Sequence, residues 1–321
     1  MSLLQKVQAA LDAVAYPREP EGLYEPIRYA LSGGGKRLRP TLTLLSYSLF
    51  RDDVEKALPA ALALETYHNH TLLHDDLMDR ASLRRGRPTV YKKWDANTAV
   101  LSGDAMLILA FEHLLSLPPE SLAPVARLFA HTAIEVYEGQ QLDMNFERRD
   151  AVSEAEYIEM IRLKTAVLLA CAAKAGAIIA GASERDADAL YLFAERLGLA
   201  FQLQDDYLDV YGDPAVFGKK IGGDILCAKK TFLLIHAFLA ASPAQAAALR
   251  ACLRPDAPLT DDEKIRTVTL LYDSLGVPQT TLAAIESRFR EACDGLSALS
   301  LPEERKQELK HYAASLLGRK V

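Results

Sequence analysis

Two stretches far apart in the chain carry the same spaced acids: His74-Asp75-Asp76-Leu77-Met78-Asp79 and Gln204-Asp205-Asp206-Tyr207-Leu208-Asp209. On a helix, residues four apart lie one above the other, so Asp75 and Asp79 share a face, as do Asp205 and Asp209. Each pair can clamp one cation. Like charges at this spacing repel, the more so where Leu72, Leu73, Leu77 and Leu208 keep water away. A divalent ion relieves the repulsion. Hard carboxylate oxygens favour magnesium, which keeps several waters and completes its shell with phosphate oxygens. Two such clusters suggest a diphosphate held between them by several ions. A solvated acidic helix face is the plainer reading of one cluster, and the duplication and apolar flanks argue against it for both. Zinc bound through His70 and His74, also four apart, is a weaker reading. The Glu of an H-E-x-x-H helix is missing, and no sulfur ligand is near.

Phosphate would need cationic partners. Between Leu31 and Pro40 runs Ser-Gly-Gly-Gly-Lys-Arg-Leu-Arg, a loop whose backbone N–H groups can approach an anion while Lys36, Arg37 and Arg39 supply charge. It is not a P-loop, because Arg37 stands where G-x-x-x-x-G-K-[ST] needs Ser or Thr. Taken alone it reads equally well as a surface loop. Arg84 and Arg85, followed by Gly86-Arg87-Pro88, form a basic turn just past the first acidic cluster. Lys164 before Thr165, Lys219 in the loop Gly218 to Asp224, and Lys229 before Lys230 are further candidates. Each lysine by itself reads as a solvated surface charge.

The elements that must hold these groups are helices. Apolar residues recur three and four apart, as in Leu107, Ala110, Phe111, Leu114 and again in Leu190, Phe193, Ala194, Leu197. Alternating Val/Ile/Thr runs with hairpin turns are almost absent, and proline punctuates short pieces such as 117–120 and 212–214. Thirteen helices are expected, over 3–15, 20–31, 39–49, 54–80, 94–116, 120–147, 153–181, 184–211, 228–241, 243–254, 261–275, 277–297 and 302–318. The loops are short and the composition does not shift, which predicts one all-α domain over 1–321.

Of 321 residues, 50% are hydrophobic, ample for a core and incompatible with a mainly disordered chain. A formal charge of −6 gives no general attraction to nucleic acid or anionic lipid. The most apolar stretch, around Ala170 to Ala182, is interrupted by Lys174 and falls short of the roughly 20 residues that span a bilayer, so no membrane insertion is expected. Cys171, Cys227, Cys252 and Cys293 show no metal or disulfide rhythm, and no secretory leader precedes them, which reads as a cytoplasmic protein.

Together the motifs resemble those of the trans-type isoprenyl diphosphate synthases, the polyprenyl synthetase family that includes farnesyl and geranylgeranyl diphosphate synthases. The resemblance rests on Gly-Gly-Lys-Arg-Leu-Arg-Pro at 34–40, His68 to Asp79 with Leu-Arg-Arg-Gly-Arg-Pro at 83–88, and Lys164-Thr165. It continues through Phe-Gln-Leu-Gln-Asp-Asp-Tyr-Leu-Asp at 201–209 and Gly218-Lys219 through Lys229-Lys230-Thr231, and so spans essentially the whole chain. It implies an all-α, single-domain bundle of about a dozen helices around a deep central cavity, a homodimer, and two aspartate clusters facing each other across the cavity mouth. By this resemblance Asp75, Asp76 and Asp79, with Asp205, Asp206 and Asp209, hold magnesium, three ions per site. Lys36, Arg39, His68 and Arg85 bind isopentenyl diphosphate. Arg84, Lys164, Thr165, Gln202, Lys219 and Lys229 meet the allylic diphosphate, with Lys164, Thr165 and Gln202 at the reacting end. Asp143, in Gly-Gln-Gln-Leu-Asp, would support these cations. The tail Gly318-Arg319-Lys320-Val321 resembles family tails that fold over the isopentenyl site.

The implied reaction is metal-assisted ionisation of an allylic diphosphate and attack on the cation by isopentenyl diphosphate. Residues one and two turns before Asp75, namely Thr71, His70 and Tyr67, would face the growing tail and set its length. An intermediate-sized His70 predicts a twenty-carbon product, geranylgeranyl diphosphate, with farnesyl diphosphate next. The alternatives are a medium- or long-chain synthase, a class I terpene cyclase and a non-catalytic regulatory subunit. The intact second D-D-x-x-D argues against the cyclase, and the retained clusters and lysines argue against the subunit.

Overall fold

Polar N-caps set where many of the helices begin. Ser2, Ser153, Ser242 and Thr260 each close a capping box with the Gln or Glu three residues on, and Asp95 and Thr231 cap two more helix starts. Each such cap stabilises its helix by about 1 kcal/mol. The computed structural model describes residues 1–213 and 221–318. Its main helices are α1 (Leu3–Ala13), α2 (Glu21–Leu31), α3 (Leu38–Ser48), α4 (Leu58–Met78), α5 (Ala96–Leu114), α6 (Pro119–Glu147), α7 (Glu154–Ile161), α8 (Val167–Ile179), α9 (Glu184–Tyr211), α10 (Phe232–Ala240), α11 (Pro243–Leu253), α12 (Asp261–Ser274), α13 (Val277–Gly295) and α14 (Glu303–Leu317). The all-α expectation holds. Among the described residues the strands are two residues each, β1 (Leu83–Arg84) paired antiparallel with β2 (Arg87–Pro88).

Three local features depart from the periodicity reading. The helix expected over 54–80 opens with a 3₁₀ turn, Val54–Ala57, before α4. The helix expected over 153–181 is interrupted by a π-turn, Arg162–Ala166, between α7 and α8. The basic turn after Asp79 is a tight hairpin. The 3₁₀ and π turns carry buried apolar residues like those of the helices beside them, Val54 and Ala57 in one, Leu163 and Ala166 in the other, so spacing alone does not mark them.

The chain gathers into two compact units. The first comprises Met1–Thr132, Leu168–Tyr191 and Ala298–Leu309; the second comprises Ala133–Val167, Leu192–Ser297 and the chain from Lys310. In the first unit α4 and α5 pack along much of their length. One core cluster there joins Val7, Leu44, Tyr47, Val54 and Ala61, and another joins Ile27, Leu73, Val90, Ala99 and Met106. In the second unit Phe146, Tyr157, Leu203, Tyr207 and Phe232 form one cluster, and Val210, Leu233, Leu249, Val268 and Tyr272 another. Among the described residues no helix is long and apolar enough to cross a membrane.

Candidate active site

In the first unit, α4 ends at Met78 with Asp79 as its C-cap, so the first acidic cluster occupies the last helical turn. That is the negative end of the helix dipole, where carboxylates are disfavoured. Burial separates the three acids: Asp75 is half-buried, Asp79 exposed, and Asp76 only 5% exposed. The hairpin delivers Arg84 to Asp76, with Nε 2.8 and 2.9 Å from the two carboxylate oxygens and Nη2 2.7 Å from Oδ1. The same Nη2 lies 3.7 Å from Asp75 Oδ2. Burial raises the Asp76 carboxyl above its usual range even with Arg84 beside it. Burial opposes the Arg84 charge, but Asp76, Asp75 and Asp79 outweigh that and raise its pKa.

The glycine-rich loop is anchored by Arg37, whose side chain is buried. Arg37 takes a left-handed backbone (φ 48°) as N-cap of α3. Its buried side chain pairs with Glu65 at 2.5 Å and donates to Leu31 O at 2.7 Å. Asn69 donates to Glu65 O at 2.8 Å and Oε1 at 3.2 Å. Lys36 is left exposed and Arg39 half-buried. Arg85 donates to Gly34 O, tying the hairpin to the loop. Burial lowers the Arg85 pKa, and Arg37 and Arg84 add to the effect. Burial, followed by the charges of Arg39, Arg85, Arg84 and Arg37, drives the His68 pKa well below that of a free imidazole, so His68 is neutral at pH 7. Of the residues predicted to bind isopentenyl diphosphate, Arg39, His68 and Arg85 thus lie within electrostatic reach of one another.

The expected chain-length residues have different surroundings. Thr71 is half-buried, its hydroxyl donating to His68 O at 2.8 Å. Tyr67 is fully buried edge-on against Phe129. His70 is buried, its Nδ1–H donating to Gly103 O on α5 at 2.8 Å. His74 donates from Nε2 to Val100 O at 3.2 Å. Each imidazole therefore uses a ring N–H on a carbonyl of the facing helix.

In the second unit, Lys164 and Thr165 sit in the π-turn Arg162–Ala166. Gly139 of α6 packs directly on that turn, where an added Cβ would lie 2.7 Å from Lys164 Cα and closer still to its N. Lys164 Nζ reaches Asp143 Oδ2 at 2.6 Å, and Lys229 Nζ lies 3.9 Å from the same oxygen. Burial would raise the Asp143 carboxyl, but Lys229 and Lys164 more than offset it and hold its pKa below the ordinary value. The Gly-Gln-Gln-Leu-Asp motif therefore lets the backbones touch at one end and grips the lysine at the other.

Thr165 Oγ1 donates to Gln202 Oε1 at 2.9 Å, Gln202 Nε2 donates to Asp206 Oδ1 at 2.9 Å, and Tyr157 donates to Asp206 Oδ2. Burial and Asp206 raise the Tyr157 pKa far above 10, so the phenol keeps its proton and donates it to Asp206. Asp206 is buried and its carboxyl pushed up to about 7, first by burial and then by the charge of Asp224. Asp205 and Asp209 are half-buried in the last two turns of α9. Asp209 Oδ2 accepts the Asp224 N–H at 2.9 Å. The sequence reading passed over Asp224 as a site residue, although the Gly-Gly-Asp of its loop was the available signal. Lys219, and Arg319 to Val321 of the tail, lie outside the described residues.

Both clusters thus place their i, i+4 carboxylates at the negative end of a helix and bury the acid between them. Excess negative charge and oxygen-only donors fit a hard divalent ion such as magnesium. Among the described residues no three His, Cys, Asp or Glu side chains converge to hold a metal by themselves.

A model of the Polyprenyl synthetase family matches residues 20–271. The chain belongs to the polyprenyl synthetase family, and with it to the trans-prenyltransferases that the motifs anticipate. It is 44% identical over 235 residues to the geranylgeranyl pyrophosphate synthase of Geoglobus acetivorans, covering 72% of this chain and 73% of that one. A crystal structure of a geranylgeranyl pyrophosphate synthase superposes with a TM-score of 0.92 at 44% identity, over 99% of this chain and 97% of that one. The geranylgeranyl pyrophosphate synthase of Corynebacterium glutamicum, solved with isoprenyl diphosphate and magnesium, gives 0.87 at 29% identity, over 99% and 98%.

Proposed function

We propose that the protein condenses isopentenyl diphosphate with allylic diphosphates to make geranylgeranyl diphosphate, its two units working as one catalytic domain over 1–321. The observation that carries this reading is the donor direction along Tyr157, Asp206, Gln202 and Thr165. With Gln202 Nε2 on Asp206 Oδ1, the amide oxygen faces Thr165, which donates to it. Thr165 donates inward and presents oxygen lone pairs rather than its proton. Oxygen dipoles of that kind stabilise an allylic cation without supplying a nucleophile.

Asp75 and Asp79 in the first unit, and Asp205 and Asp209 in the second, would hold magnesium, three ions in all. Magnesium bound there neutralises charge on the diphosphate that leaves. Arg84, Lys164, Lys219 and Lys229 bind the allylic diphosphate, and Lys36, Arg39, neutral His68 and Arg85 bind isopentenyl diphosphate. Asp76 holds Arg84 in place, and Asp143 holds Lys164. No side-chain base is needed, since the released pyrophosphate can take the proton. Tyr67, His70 and Thr71 bound the tail.

The protein works as a cytosolic homodimer. Leu101, Ile108 and Leu115, seven apart along and just past α5, are each more than 60% exposed and supply an apolar face for a second copy. The test incubates purified protein with magnesium, isopentenyl diphosphate and each of the five-, ten- and fifteen-carbon primers, sizing products by mass spectrometry. A ladder ending at twenty carbons is expected. No condensation with any primer by folded protein overturns the reading.

A further inference from the structure

We propose that Gly103, through the two imidazoles it seats, is a determinant of product length; the inference rests on the prenyl-transfer reading above. Gly103 lies in the interior of α5, where glycine is less favourable than alanine. What it provides is room. A Cβ at 103 would stand 2.7 Å from Cδ2 of His74 and nearer still to Nε2, closer than real Cβ contacts come. The Gly103 carbonyl also accepts the N–H of His70, and Val100, three residues earlier, accepts that of His74. One face of α5 therefore clasps two successive turns of α4.

The clasp does not end there. His70 and His74 meet edge to face at 4.6 Å, Tyr67 lies 5.5 Å from His70, and Tyr67 packs on Phe129 at 5.2 Å. This row of rings runs from the residue beside Asp75 back along α4. A tail anchored by its diphosphate at Asp75 and Asp79 would grow beside that row. The two helices pack along much of their length, so a methyl group at 103 pushes the His74 ring off α5 and crowds its edge-to-face partner His70. The rings then move toward the space beside α4 that the tail requires.

Gly103→Ala should move the end point from twenty carbons to fifteen or fewer, with unchanged helical circular dichroism, because alanine is the better helix former. His74→Ala should act the other way, freeing His70 to swing into the vacated place and raising the share of products longer than twenty carbons. Gly103→Ala combined with His74→Ala should lose the shortening. If folded Gly103→Ala and His74→Ala proteins both give the wild-type product distribution, the inference fails while the function stands. If wild-type protein condenses no primer, the functional reading fails instead. Should Gly103→Ala not fold, the single His74→Ala comparison decides.

Discussion

Arg37 and Glu65 face each other with both side chains buried, 3% and 2% exposed, and Nη1 2.5 Å from Oε1. The pair sits beneath a loop whose neighbouring cations, Lys36 and Arg39, are the ones assigned to isopentenyl diphosphate. Removing the carboxylate strands a buried guanidinium, which typically costs about 3–5 kcal/mol. Glu65→Ala should therefore lower the urea midpoint markedly. In whatever folded protein remains, KM for isopentenyl diphosphate should rise about tenfold, with KM for the allylic primer little changed. Equal rises in both KM values would mean that the pair supports the fold without placing the loop.

The two adjacent acids of the first cluster should behave differently. Asp75→Asn removes an outward oxygen from the face shared with Asp79 and should cut kcat by about 10²–10³, the usual scale for one lost electrostatic stabiliser. The magnesium concentration giving half-maximal rate should rise with it. Asp76→Asn removes the carboxylate that Arg84 grips, so its main effect should be on KM for the allylic diphosphate. Titrating magnesium against each variant separates the two. Identical magnesium curves for both would refute the division of labour.

Periodicity and spacing made most of this legible. Three-and-four spacing marked the helices because packing one apolar stripe is what holds them. The acids at 75 and 79, and at 205 and 209, share faces for the same geometric reason. The π-turn at Arg162–Ala166 was hidden, since it has no glycine or proline and buries Leu163 and Ala166 as a helix would, although it holds both Lys164 and Thr165. The inward course of Arg37 was hidden as well. Its partner Glu65 is 28 residues away, and nothing local distinguishes it from Lys36 or Arg39. Asp224 was missed because its effect on Asp206 is an electrostatic relation across 18 positions, and the Gly-Gly-Asp of its loop is only a faint local sign of it.

Gly139 allows α6 to touch the π-turn, so Gly139→Ala forces apart two backbones rather than two flexible side chains. Overpacking of this kind commonly costs about 1–3 kcal/mol. Because the strained partner is the backbone of Lys164, the displacement should also move Thr165, and kcat should fall by roughly tenfold or more while KM for isopentenyl diphosphate stays near wild type. Steady-state kinetics on protein with a normal circular dichroism spectrum checks this. A stability loss with unchanged kcat would show that the turn tolerates the shift.

The buried imidazole of His70 should make stability depend on pH. Burial first, and then the neighbouring His74, lower its pKa to about 4, from the value near 6.5 of an exposed imidazole. Below pH 6.5 the unfolded chain takes up a proton that the folded protein refuses, so folding loses free energy as pH falls toward 4 and no more below that. The contribution is fully present above pH 6.5, and its size is on the order of 3 kcal/mol at most. Urea unfolding at pH 7.5, 6.0, 5.0 and 4.5 should show the decline in wild type, superimposed on that of the carboxylates. His70→Gln keeps a donor for the Gly103 carbonyl but cannot titrate, so its curve should be flatter over the same interval. Parallel curves for the two proteins would mean that His70 gains its proton as readily folded as unfolded, and the closed α4–α5 interface around it would have to be abandoned.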